Sequence, residues 1–565
     1  MKQFSLLLIT LACPLLLSAQ NIYDNAKDAE KAIRIHANTD KEPLVKGKYQ
    51  PTWESLSDYQ CPAWFRDAKF GIWAHWGPQC VEGSGDWMAR EMYMEGTNKS
   101  NYHRQHYGHP SEVGFKDILP LFKAENWNPE ELVRFYAEEC GAQYFFALGN
   151  HHDNFDLWDS KYHEWNSMAI GPHKDILDGW AKAARKAGLP FGISFHADHA
   201  WTWYEPSRRF DLKGEKRGVK YDGWLTKEDG YKPNADGTEK WWKGLDPQKL
   251  YAQNHDLSDG TWDNNSIHGQ WGWGNGACTP TREYVSNFYN RTLDAINRYN
   301  PDLIYFDVTV LPFYPLSDAG LKIAAHMYNR SISTHKGNNN AVVFGKILTE
   351  EMKEALVWDV ERGAPNKIMD RPWQCCNCIG DWHYNNGIYN SNRYKSAATV
   401  AKLLVDIVSK NGNMLLSVPL RADGTPDEKE IAILKEFGKW MKVNKESIVG
   451  TRPWKIFGEG PIADSDIKIN AQGFNDGQYT KAGAKEIRFT QTDKHLYVTA
   501  LAWPDNGTIS VKALAEGSQL YDGKIKKVEL LGYGKVNFDR TTDALTITLP
   551  AQKCNDIMPV LRIAK

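Results

Sequence analysis

The chain of 565 residues has no excess of charge of either sign, since 68 Lys and Arg stand against 70 Asp and Glu and leave a formal net charge of −2. This balance gives no electrostatic reason to bind nucleic acid or an anionic membrane surface. After residue 20 the sequence also has no apolar run long enough to span a bilayer as a helix. We therefore expect no nucleic-acid partner and no membrane span, while the oligomeric state is left open.

Common cofactor and metal motifs are absent as well. No G-x-G-x-x-G opens a helix after the first predicted strand, and the sequence contains no H-E-x-x-H. The run Cys375-Cys376-Asn377-Cys378 has no second cysteine pair elsewhere that would complete a structural zinc site. We expect buried thiols or one local disulfide there, and the sequence predicts no cofactor and no metal.

Aromatic residues, in contrast, are abundant, with 23 Trp, 26 Tyr and 21 Phe making up 12% of the chain. Flat rings that stack on sugar faces are one use for so much Trp, and an aromatic-rich core is the other. Charged residues at 24% and hydrophobic residues at 42% are ordinary for a globular protein and exclude wholesale disorder.

The N-terminus has the pattern of an export signal. Residues 1–20 read MKQFSLLLITLACPLLLSAQ, in which one Lys precedes an apolar run that ends at small residues. Such a segment is typical of a secretory signal peptide and is too short to span a membrane. We predict a signal peptide over 1–19, cleaved near Ala19, and an exported, periplasmic protein. Lipid attachment at Cys13 is the less favoured alternative. Residues 20–62 are a polar N-terminal lead-in.

Between residues 63 and 454, short apolar runs alternate with amphipathic stretches of helical periodicity. The predicted strands cover 69–76, 144–148, 191–196, 303–307, 341–345, 357–361, 374–380 and 414–419. Because about eight strand–helix repeats are typical of a closed parallel sheet, we predict an α/β fold with a (β/α)8 catalytic barrel. An open doubly wound sheet is the alternative.

Two other segments differ from this alternation. Residues 204–280 interrupt it as an insertion rich in Gly, Asp, Asn and Trp, and we predict an ordered lid over the barrel mouth. The tryptophans of this insertion include Trp241, Trp242, Trp271 and Trp273. Residues 455–565 carry short runs of alternating apolar and polar residues with turns between them, which predicts a C-terminal antiparallel β-sandwich.

Polar side chains collect where the predicted barrel strands end, and that face carries the active site in (β/α)8 enzymes. The strand ends supply His75, His151, His152, His196, Asp307, Asp359 and Glu361, and the seventh strand leads to Asp381-Trp382-His383. Side-chain alternation places Asp307 on the same face as Tyr305, and Glu361 on the same face as Asp359. Two carboxylates on different strands suit glycoside hydrolysis, in which one protonates the leaving oxygen and the other attacks the anomeric carbon or activates water.

A hydrolytic metal site is the rival interpretation of these residues. His75, His151, His152 and His196 offer ring nitrogens that could bind a metal ion. Adjacent histidines on an extended segment point in opposite directions, however, which disfavours a shared ion. Histidines and tryptophans around two carboxylates fit a neutral polyol better, since they provide N–H donors for hydroxyls and a flat wall for the apolar sugar face.

The motifs around these residues resemble family 29 of the glycoside hydrolases, the retaining α-L-fucosidases. They read WFRDAKFGIWAHWGP from residue 64, HHDNFDLWDS from 151, PDLIYFD from 301, LVDIVSKNGNMLL from 404 and GTRPW from 450. The resemblance implies a catalytic barrel followed by a β-sandwich. It also implies an exo-acting enzyme that removes terminal α-L-fucose from fucosylated oligosaccharides or glycoconjugates by double displacement.

The resemblance implies roles for individual residues. Asp307 matches the family nucleophile, Trp87 matches a pocket tryptophan, and three histidines match those that bind fucose hydroxyls, namely His75, His151 and His152. Asp86 stands where a Glu is usual in the Glu-Trp pair of the pocket. His196 stands where many members have Tyr, and Tyr305 stands where a Trp is usual two residues before the nucleophile. Apart from the catalytic Asp307, all of these positions belong to the predicted sugar-binding set.

The general acid/base is placed differently among members of this family. Some carry it in a Trp-Glu pair on the seventh strand, which here reads Trp373-Gln374, and an amide cannot transfer the proton. Others carry it earlier in the chain, where Glu361 fits. We predict Glu361 as the acid/base, with its carboxyl about 5–5.5 Å from that of Asp307. Trp373 is retained in the predicted sugar-binding set.

These departures from the family pattern leave two alternatives. Asp86 is one methylene shorter than Glu, and a site that binds hydroxyls is sensitive to such a change. One alternative is a related glycosidase that acts on another sugar such as α-L-galactose. The other is a catalytically inactive carbohydrate-binding homologue.

Overall fold

The structure is a computed structural model that describes residues 26–263, 273, 276–465 and 470–565. The predicted signal peptide over 1–19, the alternative anchor Cys13 and the insertion residue Trp271 lie outside the described residues. In the described ranges, no helix combines the length and the apolar character that a bilayer crossing requires.

Eight parallel strands close into a barrel in the order of the sequence. They are β1 (Phe70–Ala74), β2 (Tyr144–Asn150), β3 (Phe191–Phe195), β4 (Leu303–Phe306), β5 (Val342–Gly345), β6 (Val357–Glu361), β7 (Trp373–Cys378) and β8 (Gly412–Ser417). Phe70 of β1 pairs with Met414 of β8 and closes the sheet. The predicted barrel is thus confirmed, and the open doubly wound sheet is excluded.

The barrel interior is filled by interlocking large and small residues. A Cβ on Gly71 would lie 2.4 Å from the ring of Tyr144, and one on Gly192 would lie 2.5 Å from the ring of Phe146. Only glycine at these two positions leaves space for rings that extend across the barrel. The Tyr144 hydroxyl reaches the opposite side and donates to Oε1 of Gln374 at 3.0 Å. The interior is therefore a packed core, and the site must lie above it.

Sixteen α-helices are found in the described residues. They are α1 (Ala26–Lys31), α2 (Trp53–Leu56), α3 (Ala63–Ala68), α4 (Met88–Glu91), α5 (Asn98–His106), α6 (Phe115–Ile118), α7 (Pro129–Glu138), α8 (Ile176–Lys186), α9 (Ala200–Trp203), α10 (Pro247–Tyr251), α11 (Arg282–Tyr299), α12 (Ala319–Thr334), α13 (Met352–Ala355), α14 (Asn386–Ser391), α15 (Ala397–Ser409) and α16 (Glu428–Asn444).

The long barrel helices begin where the sequence provides a capping side chain. Asp175 accepts from the backbone N–H of Asp178 at the start of α8, and Thr281, Ser396 and Asp427 cap α11, α15 and α16 in the same way. The alternation is not complete, because β6 connects to β7 through a fully described loop over 362–372 that contains no helix.

The described part of the 204–280 insertion is built from short helical turns tied to the loop that follows β2. The Tyr204 hydroxyl donates to the carbonyl of Asp153 at 2.9 Å, and the Asn154 amide donates to the carbonyl of Leu250 at 2.8 Å. Asp222 of the insertion also accepts from the hydroxyl of Tyr93, in the segment between β1 and β2, at 2.7 Å. These contacts place the insertion beside the end of the barrel at which β2 terminates.

Two antiparallel sheets follow the barrel, as the sequence predicts. Their strands are β9 (Arg452–Glu459), β10 (Ile487–Gln491), β11 (His495–Ala500), β12 (Thr508–Val511), β13 (Val528–Leu530), β14 (Gly534–Lys535), β15 (Asn537–Arg540), β16 (Leu545–Thr548) and β17 (Val560–Ala564). The larger sheet has the order β14-β13-β17-β11-β10-β9, and the smaller has the order β12-β16-β15. The predicted boundary between 454 and 455 falls inside β9, because that strand pairs with β10.

Candidate active site

Side chains from seven of the eight barrel strands meet at the carboxyl ends of those strands. The residues that end or follow each strand are His75 (β1), His151 and His152 (β2), His196 (β3), Asp307 (β4), Lys346 (β5), Glu361 (β6) and Trp382 and His383 (β7). Parallel strands of a closed barrel end at the same rim, so residues far apart in the sequence become neighbours there.

The two predicted catalytic carboxylates share one ammonium group. Nζ of Lys346 lies 2.8 Å from Oε2 of Glu361 and donates a short hydrogen bond to Oδ1 of Asp307. Because each of these bonds is at most about 3 Å long, the two carboxylate oxygens lie within about 6 Å of each other. Each carboxylate side chain keeps roughly a quarter of its surface exposed, 23% for Asp307 and 24% for Glu361.

The surroundings keep Asp307 ionised. Burial alone would raise the pKa of this carboxyl, but the Lys346 ammonium and hydrogen bonds from His152 and His196 outweigh burial and hold the pKa well below its ordinary value. The effect is reciprocal, since burial would lower the pKa of Lys346, whereas the carboxylates of Asp307 and Glu361 hold it well above its ordinary value. The site is therefore a charged triad of two carboxylates and one ammonium.

One histidine is hydrogen-bonded to the second oxygen of Asp307, and another lies beside that oxygen. Nε2 of His152 lies 3.1 Å from Oδ2 of Asp307, and Nδ1 of His196 lies 3.4 Å from the same atom. Nδ1 of His152 in turn lies 2.7 Å from the carbonyl oxygen of His196. Both ring nitrogens of His152 thus face oxygen acceptors, which orients the ring toward Asp307.

Five buried histidine rings form one cluster, which we call the imidazole cluster: His75, His151, His152, His196 and His383. Neighbouring ring centroids lie 4.5 to 5.5 Å apart. Burial, followed by repulsion from the other rings, holds the pKa values of His75 and His151 well below 6.5. Burial lowers the pKa of His196 to about 4, although Asp307 opposes the shift. These three rings are therefore neutral at neutral pH.

Hydrogen bonds define the donor and acceptor pattern of the cluster. The Gln79 side chain accepts from the backbone N–H of Ala89 at 3.4 Å and donates to Nδ1 of His151 at 2.6 Å. The neutral His151 ring therefore carries its proton on Nε2, which lies 3.7 Å from Oδ1 of Asp86. Oδ1 of Asp86 also lies 2.6 Å from Nδ1 of His383. Asp86 thus connects two rings of the cluster.

Tryptophans line the cluster on two sides. Below it, the Trp73 ring lies 4.8 Å from the His75 ring and 5.7 Å from that of Trp382. On another side, the Trp203 ring lies 6.2 Å from that of Trp87 and 5.7 Å from that of His152. Trp87 adopts φ 63°, a left-handed conformation that is strained for such a residue and is most often retained at binding sites. Carboxylates, neutral imidazoles and indoles together fit a neutral sugar.

Comparison with known proteins agrees with this chemistry. The family model described as alpha-L-fucosidase matches residues 36–446, and that of the alpha-L-fucosidase C-terminal domain matches residues 481–564. This chain belongs to the α-L-fucosidase family. Among its curated relatives, the tissue alpha-L-fucosidase of Rattus norvegicus is 23% identical over 529 residues, covering 90% of each chain. That of Homo sapiens is 24% identical over 476 residues, covering 82% of this chain and 81% of the relative.

Solved structures of fucosidases share the fold. One alpha-L-fucosidase has a TM-score of 0.64 and 23% identity over 92% of this chain and 100% of its own. The alpha-fucosidase of Thermotoga maritima in complex with a mechanism-based inhibitor has a TM-score of 0.63 and 22% identity over the same shares. A trapped covalent intermediate of an alpha-L-fucosidase from Bacteroides thetaiotaomicron has a TM-score of 0.56 and 17% identity, over 93% of this chain and 99% of its own.

Two residues of the predicted sugar-binding set lie away from the rim of this fucosidase-family barrel. Trp373 begins β7, at the opposite end of the barrel, where its indole N–H donates to the carbonyl of Lys410 at 2.9 Å. The prediction of a sugar contact for Trp373 is corrected accordingly, because the residue is 1% exposed and packs under the barrel. Tyr305 lies one layer below Asp307, with its hydroxyl 3.6 Å from Sγ of Cys376.

One residue of the site, Lys346, is missing from the sequence prediction, and another, His383, is named there at a strand end without a role. Lys346 follows the fifth strand directly, so the strand-end argument applied to that strand would have found it. His383 lies near the end of the seventh strand. Its partner Asp86 lies 297 positions earlier, so no local sequence pattern predicts this pair. Such a contact depends on barrel closure.

Two overlapping groups of side chains in the site contain residue types that can bind a metal ion. His75, Asp86, His151 and His383 form one group, and His151, His152 and His196 form the other, each with its ligand atoms within 4.8 Å of one another. A tetrahedral zinc ion would hold its nitrogen ligands about 3.3 Å apart, with metal–nitrogen bonds of about 2.0 Å. Asp86 is moreover already bonded to Nδ1 of His383. An ion in the first group would therefore compete with that hydrogen bond.

The cysteines of the described residues are free thiols. Cys375, Cys376 and Cys378 are buried along β7. Sγ of Cys376 donates to Oδ2 of Asp359 at 3.1 Å. Of the two sequence expectations, buried thiols are found and the local disulfide is absent among the described residues.

Proposed function

We propose that the chain is an exported, exo-acting α-L-fucosidase that hydrolyses terminal α-L-fucosyl linkages of glycans with retention of configuration. Membership of the α-L-fucosidase family supports the reaction, and the names of the curated relatives support fucose as the sugar. The observation that carries the mechanism is the pair of carboxylates on one ammonium, Asp307 and Glu361 on Lys346.

Carboxylate separation distinguishes the two ways of cleaving a glycosidic bond. Retaining enzymes hold their carboxyls about 5–5.5 Å apart, whereas inverting enzymes need about 6.5–9.5 Å to admit a water molecule. The shared contact with Lys346 keeps the oxygens of Asp307 and Glu361 within about 6 Å. This spacing supports direct attack by one carboxylate and a covalent glycosyl-enzyme.

Asp307 is the nucleophile in this proposal. Its pKa is held well below the ordinary value, so it is ionised across the working pH range and ready to attack the anomeric carbon. His152 fixes its Oδ2, beside which His196 also lies, and Lys346 fixes Oδ1. A nucleophile anchored on both oxygens loses little orientational freedom when it reacts.

Glu361 is the general acid/base. It must carry a proton when the leaving oxygen departs and must later take one from water. In this geometry it accepts a hydrogen bond from Lys346 at 2.8 Å. The substrate therefore has to draw Glu361 away from Lys346 before protonation, and Lys346 remains beside Asp307 to balance its charge.

Stereochemistry and a matched pair of variants test the proposal. Wild-type protein should hydrolyse 4-nitrophenyl α-L-fucoside and release the α-anomer of fucose first, as followed by proton NMR. Asp307→Gly should lose activity by a factor on the order of 10⁴ or more and regain part of it with azide. Release of the β-anomer would contradict retention, and binding of fucose without hydrolysis by the wild type would indicate the inactive homologue.

A leaving-group series tests Glu361. Glu361→Gln should slow substrates with poor leaving groups far more than 4-nitrophenyl fucoside, because only the former need a proton. Normal hydrolysis of natural fucosylated glycans by this variant would remove Glu361 from the mechanism.

Export forms part of the same proposal. It is supported by residues 1–19, with one Lys ahead of an apolar run that ends at small residues. Expression of the full chain in a Gram-negative host, fractionation and mass spectrometry of the mature N-terminus test it. A periplasmic protein that begins near Gln20 agrees, a lipid-modified Cys13 indicates anchoring, and an intact N-terminus in the cytoplasm contradicts export.

A further inference from the structure

His383 is a fully buried histidine of the imidazole cluster that the mechanism above does not use. Its ring lies 4.5 Å from that of His75 and 4.8 Å from that of His151, and the residue is 0% exposed. Nδ1 lies 2.6 Å from Oδ1 of Asp86. Nε2, on the far side of the ring, is buried and has no hydrogen-bond partner among the described residues.

The pairing with Asp86 determines what Nε2 can do. A carboxylate only accepts hydrogen bonds, so Nδ1 of His383 carries the proton that it donates to Asp86. In the neutral ring, Nε2 is then a hydrogen-bond acceptor. A buried acceptor with no partner is unfavourable, so each such group needs a functional explanation, and a donor supplied by the ligand is the one we pursue for His383.

The neighbouring ring has the opposite polarity. His151 accepts from Gln79 on Nδ1 and therefore presents Nε2–H as a donor. The rings of His151 and His383 are neighbours, with centroids 4.8 Å apart and planes at 87° to each other. One hydroxyl oxygen between a donor and an acceptor spans about 5.6 Å with two hydrogen bonds. A hydroxyl, which both donates and accepts, has the polarity that complements a donor on His151 and an acceptor on His383.

We propose that His383, held by Asp86, is a specificity-determining residue that accepts a hydrogen bond from one hydroxyl of the bound sugar. This inference rests on the proposed function, because it assumes that a sugar occupies the imidazole cluster. It selects a substrate class: sugars that present a hydroxyl at that position are bound, and analogues with hydrogen or methyl there are rejected. A site that binds a hydroxyl discriminates strongly against the analogue that lacks it.

The test couples variants of the enzyme to variants of the substrate. The substrates are 4-nitrophenyl α-L-fucoside, the three analogues that each lack one of its ring hydroxyls, and the α-L-galactoside. His383→Phe should lower kcat/KM by about 100-fold for every substrate that carries the hydroxyl recognised by His383. For the one analogue that lacks this hydroxyl, kcat/KM should stay nearly unchanged. His383→Gln keeps an acceptor near the position of Nε2. Its kcat/KM should therefore be about tenfold higher than that of His383→Phe. An equal loss on all five substrates would overturn the inference, because a structural defect affects every substrate alike.

His103 provides a matched control. It is also fully buried with Nδ1 2.6 Å from a carboxylate, that of Glu82, but its Nε2 is satisfied by the carbonyl of Val113 at 2.8 Å. His103→Phe should lower the melting temperature as much as His383→Phe does and leave the ranking of the substrates unchanged. If His103→Phe also changes the ranking of the substrates, the effect of His383→Phe is not specific and the inference is contradicted.

Binding measurements separate this inference from the proposed function. If the wild type cleaves none of the substrates, the proposed function fails. Titration calorimetry with L-fucose and L-galactose can then still measure sugar binding to the imidazole cluster. Loss of sugar binding in His383→Phe but not in His103→Phe would then support the inference. Absence of sugar binding in the wild type would overturn it, as would sugar binding that disappears on dialysis against EDTA, which would make the cluster a metal site.

Discussion

Single residues of the site differ in how far the sequence could predict them. Asp307 and Glu361 end strands that read as apolar runs, so their positions at the rim follow from the barrel alone. Lys346 obeys the same rule at the fifth strand. His383 also follows a strand, but its role could not be predicted in this way, because that role depends on Asp86 across the barrel mouth. Local patterns predict which residues reach the rim, and only closure of the sheet determines which of them meet.

Lys346 should control the acidic limb of the activity profile. Lys346→Met removes the ammonium that holds down the pKa of Asp307, and burial then raises that pKa. The ionised fraction of the nucleophile falls at low pH, so the acidic limb of kcat/KM should move to higher pH. At neutral pH, activity should fall by about 100-fold. Lys346→Arg keeps the charge and should keep the limb near its wild-type position, and an unshifted limb in Lys346→Met would contradict this role.

Asp359 should make stability depend on pH. Burial raises its pKa to about 6 despite the nearby Lys346, whereas an unfolded Asp titrates near about 3.9. An acid whose pKa is raised on folding favours its protonated form in the folded state. The buried carboxyl therefore leaves the free energy of unfolding unchanged at low pH. It lowers that free energy by about 3 kcal/mol once the pH exceeds the pKa of Asp359 in the folded state. The melting temperature of Asp359→Asn, measured relative to that of the wild type, should therefore rise as the pH increases from about 4 to about 7.

The matched control for this measurement is Asp58→Asn. The Asp58 side chain is 66% exposed and its carboxylate lies 3.4 Å from the Lys48 ammonium, so the substitution should change stability little at any pH. A difference between Asp359→Asn and wild type that stays constant with pH would show that Asp359 titrates normally in the folded chain.

Secondary-structure elements follow the sequence closely where strands are buried on both faces. All eight barrel strands lie within two residues of their predicted starts, because parallel strands read as continuous apolar runs. The sandwich is less predictable. The strands β9, β14 and β15 are absent from the sequence prediction, since β9 begins with Arg452-Pro453 and the other two are short and largely polar. Between β6 and β7 the chain forms a loop without a helix, which departs from a regular strand–helix alternation.

A segment between the two family-model matches braces the strand ends that carry the site. The Gln472 amide donates to the carbonyl oxygens of Asp359 at 2.7 Å and Lys346 at 3.1 Å, and accepts from the backbone N–H of Glu361 at 3.2 Å. Gln472→Ala should lower kcat/KM by about tenfold, because the acid/base and the lysine lose a shared support. Loss of these bonds should also cost about 1–3 kcal/mol of stability.

Gln478 in the same segment is the control for this brace. Its side chain donates to Oδ1 of Asn475 at 3.3 Å and has no hydrogen bond with the strand ends. Gln478→Ala should leave the kinetic constants unchanged. Equal kinetic losses in the two variants would show that the segment as a whole, and not the Gln472 amide, supports the site.

The molecule as a whole is joined by a buried charge network between the barrel and the sandwich. Asp406 of α15 accepts from Nε of Arg488 in β10 at 2.6 Å and from Nζ of Lys410 at 2.8 Å. Arg488 also donates to Glu486 at 3.0 Å. Burial would raise the pKa of Asp406, but the two cations outweigh it and hold the pKa below its ordinary value. No sequence pattern reveals this network, because its members come from separate folding units.

Asp406→Ala should therefore destabilise both units together. The substitution leaves Arg488 and Lys410 buried with one carboxylate, that of Glu486, and removing one partner of a buried pair costs about 3–5 kcal/mol. Calorimetry should show one unfolding transition displaced to lower temperature, because neither unit can keep the interface alone. Arg488→Met combined with Asp406→Leu removes opposite charges together and should recover much of the loss. Two separated transitions in Asp406→Ala, with the barrel unfolding at its original temperature, would show that the sandwich does not stabilise the catalytic barrel through this network.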